Sequence, residues 1–68
     1  MGLSKAEVVQ ILKALGGRGT RKQIHTKARE LFPNYPAIPQ YTEIGLTRLR
    51  RWGDVKWEHG VWILVAEE

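Results

Sequence analysis

The apolar residues of this chain follow two patterns, helical spacing over most of its length and short β-rich runs near its end. Val8, Ile11, Leu12 and Leu15 recur three and four residues apart and so share one face of a helix. Ahead of them Ser4 and Glu7 form an S-x-x-E capping box, in which each side chain bonds the other residue's backbone amide at the helix start. Gly16-Gly17 breaks the run, so a first helix is predicted at about 4–15. The logic repeats at Thr20-x-x-Gln23, followed by Ile24, Ala28, Leu31 and Phe32 on one face, with Lys22, Lys27 and Arg29 elsewhere. His25 falls at the border of that face, where packing is expected rather than ligation. Pro33 ends this second helix, at about 20–32, because proline donates no amide proton and disfavours helical geometry in its predecessor. Between the two helices, Gly17-Arg18-Gly19 leaves room for a short extended bridge, a third strand near residues 17–19.

The run from Pro33 to Pro39 holds three prolines and reads as a stiff connector anchored by Tyr35 and Ile38. A third helix is expected at about 40–52, closed by Gly53 in a left-handed cap. The pattern then changes. Two β-rich runs, from Asp54 to Glu58 and from Val61 to Val65, flank His59-Gly60, a two-residue hairpin turn. That turn sets Trp57 opposite Trp62 and Val55 opposite Leu64 on one face, where both tryptophans are expected in the core. Lys56, Glu58, Val61 and Ile63 take the other face. The order predicts an α+β fold, a single three-helix winged helix-turn-helix domain spanning 1–68 with a C-terminal two-stranded β-hairpin at about 54–65 as its wing.

Wound at about 100° per residue, the third helix divides into two faces. Tyr41, Thr42, Gly45, Leu46, Leu49 and Trp52 form the side expected to face the core. Gly45 costs about 1 kcal/mol of helix propensity relative to alanine, which suits a close crossing by another helix. The opposite side carries Gln40, Glu43, Ile44, Thr47, Arg48, Arg50 and Arg51. Glutamine can pair with adenine, glutamate can accept from cytosine, and the methyls of isoleucine or threonine can meet the thymine methyl. Gln40, Glu43, Ile44 and Thr47, nearer the helix start, are therefore the candidates for base contact, with simple repulsion of misplaced phosphates an alternative for Glu43. Arg48, Arg50 and Arg51 are the candidates for phosphate contact, which positions a protein without reading sequence.

Composition sharpens this reading. The chain has 68 residues and a formal net charge of +4. The charge is clustered, with Arg18, Arg21, Lys22, Lys27 and Arg29 following one another without an intervening acid, and Arg48, Arg50, Arg51 and Lys56 forming a second group. Such clusters favour polyanions, because neutralising phosphates releases condensed counterions. Arg18, Arg21 and Lys22 at the start of the second helix, and Lys56 on the hairpin, are further candidates for phosphate contact, while His59 reads as a turn residue. With no cysteine, neither a disulfide nor a thiolate metal site supports the small core, and three Trp, two Tyr and one Phe are expected to supply its bulk. Two histidines without clustered carboxylates imply no metal site. No phosphate-cradling loop, paired acids or nucleophile–base pair points to catalysis, and no cofactor is implied. Lacking a signal-peptide pattern or a long apolar run, the chain reads as soluble and cytoplasmic, nucleoid-associated or, in a eukaryote, nuclear.

From Ile44 to Val65 the chain resembles the recognition-helix and wing segment of winged-helix DNA-binding domains. The resemblance is carried by Leu46 and Leu49 ahead of the helix-ending Gly53, and by the run Gly60-Val61-Trp62-Ile63-Leu64 as a returning wing strand. It is similar, more loosely, to the N-terminal domains of Mrr-type restriction endonucleases. The chain departs from the pattern in its long connector between the second and third helices and in its short wing tip, which leaves little to reach into a minor groove.

These readings together lead to a double-stranded DNA-binding domain, a small transcriptional regulator or a DNA-targeting module. The third helix would enter the major groove while basic residues of the second helix and wing meet phosphates. A winged-helix protein–protein module is the alternative, since fold does not fix function. For that reading the apolar strip of Val61 and Ile63, with Val65 beyond, is the candidate surface for a homodimer or another protein. Binding of RNA or single strands is disfavoured by the lack of aromatic residues on the outer face of the third helix.

Overall fold

The computed structural model describes residues 3–35 and 38–65. Its order is α1 (Lys5–Ala14), β1 (Arg18–Thr20), α2 (Arg21–Leu31), α3 (Ile38–Trp52), β2 (Val55–Glu58) and β3 (Val61–Leu64). This is an α+β, winged-helix-like arrangement of three helices and a three-stranded antiparallel sheet ending in a β-hairpin. Among the described residues no helix is long and apolar enough to cross a membrane.

Both predicted capping boxes form. Ser4 Oγ accepts from the Glu7 amide at 3.3 Å and Glu7 Oε1 accepts from the Ser4 amide at 2.9 Å. Thr20 and Gln23 repeat the exchange at the start of α2. The Tyr35 hydroxyl donates to the other Glu7 oxygen, which ties the connector to the start of α1. That bond and the Ser4 amide hold the Glu7 carboxyl below the usual carboxylate range, and the same bond pushes the Tyr35 phenol up. Tyr35 also stacks on Phe32, with ring centroids 5.7 Å apart, and meets Tyr41 edge-on at 5.8 Å. Pro36 and Ala37 lie outside the described residues, but Ile38 and Pro39, expected in the connector, are already the first turn of α3. Proline is tolerated there because early helical amides have no intrahelical acceptor.

α1 and α3 end in the same way. The amide of Gly17 reaches the Leu12 carbonyl and that of Gly16 the Lys13 carbonyl; after α3 Asp54 reaches Leu49 and Gly53 reaches Arg50. This paired pattern is a Schellman cap, and Gly53 takes the left-handed φ of 86° that it requires.

β3 lies in the middle of the sheet. The hairpin has the expected register, Val55 opposite Leu64 and Trp57 opposite Trp62. Positive φ at both His59 and Gly60 identifies a type I′ turn, whose twist matches that of the strands. The third strand forms one residue later than expected, with Arg18 opposite Ile63 and Thr20 opposite Val61. The apolar strip of Val61 and Ile63 is therefore flanked on both sides and half-buried rather than lying at a free edge.

The core is mostly aliphatic, not aromatic as composition implied. Leu3, Val8, Ile11, Leu12, Ile24, Ala28, Ile38, Leu46, Leu49 and Val55 are buried, and Trp62 is the one buried tryptophan. Trp57 shares the inner face with Trp62 but is 47% exposed, since it lies toward the hairpin tip on edge strand β2. Trp52, placed by sequence on the inner stripe of α3, is 59% exposed. As the C-cap residue it sits beyond Leu49, the last α3 side chain packed into the core. Gly45 meets its expectation: a Cβ there would lie 2.8 Å from Val8 Cγ2 and 3.1 Å from the Leu3 carbonyl oxygen.

Candidate nucleic-acid interface

α3 is seated by Thr42, Gly45, Leu46 and Leu49, all buried, so its opposite side must face outward. Along that side runs an open groove of about 450 Å³ lined by Glu43, Ile44, Thr47, Arg48, Arg51 and Trp52. Except for Trp52, this lining belongs to the face assigned to function from the sequence. Trp52 was missed because its position at the rim of the apolar stripe suggested burial, and only the helix-ending cap marks it as outward.

Ile44 is 39% exposed between Gln40 and Arg48, which are exposed as well. Among the described residues Arg48, Arg50 and Arg51 form no ion pair, so their charge is available to a ligand. Arg50 is exposed but does not line the groove, because its direction around the helix places it on the flank. Arg50 and Arg51 lie in the last turn of α3, where they also complement the negative end of the helix dipole.

A second open groove, of about 580 Å³, continues past the start of α3 and is lined by Arg21, His25, Pro39, Gln40, Glu43 and Ile44. Glu43 and Ile44 line both. Here α2 and α3 meet through charge. Arg21 Nε lies 2.7 Å from Glu43 Oε2, and His25 Nε2 lies 3.5 Å from the same oxygen. The Arg21 approach is too oblique to complete a hydrogen bond, and neither Glu43 Oε2 nor His25 Nε2, both shielded from solvent, has a hydrogen-bond partner among the described residues. Burial pushes the His25 pKa down, opposed by the Glu43 carboxylate and reinforced by Arg29 and Arg21. His25 thus packs at the edge of α2, as expected, but it also faces Glu43, a candidate base-contact side chain of α3. No sequence spacing relates residue 25 to residue 43; the crossing of the two helices does.

The remaining candidate cations are distributed elsewhere. Lys22 is exposed in the first turn of α2 and lines neither groove. Arg18 and Lys56 flank Ile63 from opposite strands. That register puts them together on the outer face of the sheet, away from the Val55 and Trp62 side that closes the core. His59 is exposed at the turn. The candidate cations are therefore divided among the outer face of α3, the start of α2 and the outer face of the sheet.

No protein-family model, curated protein or solved structure matches this chain.

Proposed function

We propose that the protein is a winged-helix DNA-binding domain that places α3 in the major groove of a duplex. The observation that carries this reading is the outer face of α3, where arginines with no ion pair among the described residues adjoin exposed Ile44 and Thr47 along one open groove. A merely solvated helix face has no reason to expose a large aliphatic side chain beside uncompensated cations. A major-groove helix has a use for both, the aliphatic group against thymine methyls and the cations on phosphates. Gln40 and Glu43, nearer the start of α3, complete the base-reading set. Arg18, Lys22 and Lys56 supply peripheral phosphate contacts, and Arg21, largely exposed, turns its remaining donors to a phosphate while its Nε stays beside Glu43. The two-residue turn leaves the wing a minor part in recognition. A role as a small transcriptional regulator or DNA-targeting module follows from this reading.

The test is a duplex titration by fluorescence anisotropy across a salt series. Each phosphate contact contributes about 0.9 to the slope of log affinity against log salt, so the Arg48→Ala, Arg51→Ala double variant lowers the slope by about 2. It should weaken binding without changing the fold, because both side chains are exposed. Wild-type affinity in the double variant, or no duplex binding by the wild type at low salt, overturns the proposal. Exposed Trp52 and Trp57 favour the second reading, a protein-interaction module, whose binding would be little affected by salt.

A further inference from the structure

We infer that Glu43 determines specificity by reading a cytosine, its carboxylate held toward the groove by Arg21 and His25; this rests on α3 being the major-groove helix. Glu43 is the acid shared by two grooves whose other charged side chains are cationic. On a surface made to meet phosphates, a carboxylate lowers affinity for every duplex alike unless a donor faces it. The structure does not leave this one loose. Oε2 is sealed from solvent against α2, 2.7 Å from Arg21 and 3.5 Å from His25, while the side chain as a whole keeps 35% of its exposure. The carboxylate is thus anchored through one oxygen in the half of α3 that approaches base edges.

The chemistry of the major groove then selects the partner. Guanine presents two acceptors and thymine one, and a carboxylate has no proton to offer either. Adenine offers its amino group beside the N7 acceptor, which repels the second oxygen. Cytosine presents an amino donor with no acceptor on its own major-groove edge, so it suits a fixed carboxylate best of the four. Ile44, the next residue and a lining of both grooves, faces the neighbouring step, where a thymine methyl suits it. Arg21 and His25 are positioning residues: ionic attraction from one and packing against the other set the place of the carboxylate, and neither need touch the base.

Selection from a pool of randomised duplexes tests this, with salt dependence measured on the selected sequences. The wild type should enrich C·G at one position by about tenfold over the other pairs. Glu43→Gln, whose amide matches adenine, should move that preference to A·T at the same position. Its melting temperature, followed by circular dichroism, verifies folding. His25→Phe retains the ring's bulk and loses the nitrogen; it should blunt the cytosine preference and leave the salt slope unchanged. Glu43→Gln that strengthens binding to all duplexes equally, or leaves the preference where it was, overturns the inference while the DNA-binding reading stands. Absence of salt-dependent duplex binding by the wild type overturns both.

Discussion

Replacing Gly45 with alanine sets two effects of known sign against each other. The substitution gains about 1 kcal/mol of helix propensity, because glycine has the greater backbone freedom to lose. Against this, the new methyl would lie 2.8 Å from Val8 Cγ2 and 3.1 Å from the Leu3 carbonyl oxygen. Neither neighbour yields readily. Val8 is fully buried on α1 and β-branched, with few rotamers open to it. The Leu3 carbonyl is backbone, in a segment whose amide donates to the Tyr41 carbonyl at 3.2 Å. Overpacking of this kind costs about 1–3 kcal/mol, and with two unyielding contacts the upper half of that range applies. The net expectation is destabilisation by about 1–2 kcal/mol, with α3 pushed away from α1. Urea unfolding followed by far-ultraviolet circular dichroism measures it, since two of the three tryptophans are exposed and report poorly on the core. Combining Gly45→Ala with Val8→Ala removes the shorter clash, so the double variant should lose less than the sum of the single losses, by at least about 0.5 kcal/mol. A Gly45→Ala protein as stable as the wild type, with additive behaviour in the double variant, refutes the close crossing.

Two further predictions concern buried polar groups. Thr42 is fully buried and its hydroxyl has no hydrogen-bond partner among the described residues, so Thr42→Val should stabilise the domain by about 1 kcal/mol in the same urea assay. His25 has a folded pKa below its unfolded value, so the unfolded chain takes up its proton first as pH falls. Its contribution to stability is complete above about pH 6.5 and is lost below it, down through the folded pKa; His25→Gln should flatten the fall measured by thermal melts between about pH 6.5 and 5.

Much of this molecule can be read along the chain. Capping boxes at Ser4 and Thr20, the stop at Gly53, the type I′ turn and the Trp57–Trp62 register all follow from residues within a few positions of one another. Their physical causes are local, so sequence suffices. The helical period likewise separates the buried stripe of α3 from its outer face, because side-chain direction is set by backbone geometry alone. What no period reveals is how far the packing partner extends. Trp52 and Trp57 occupy positions that face inward by rhythm, yet nothing covers them fully, since the core ends at Leu49 and Val55. Ile38 and Pro39 join α3 rather than the connector once Ile38 has a core to enter. The meeting of Arg21 and His25 with Glu43 belongs to tertiary structure entirely. It arises from the packing of α2 against α3, and it changes the outer face of α3 from a row of independent candidates into cations with no ion pair among the described residues and one carboxylate set against α2.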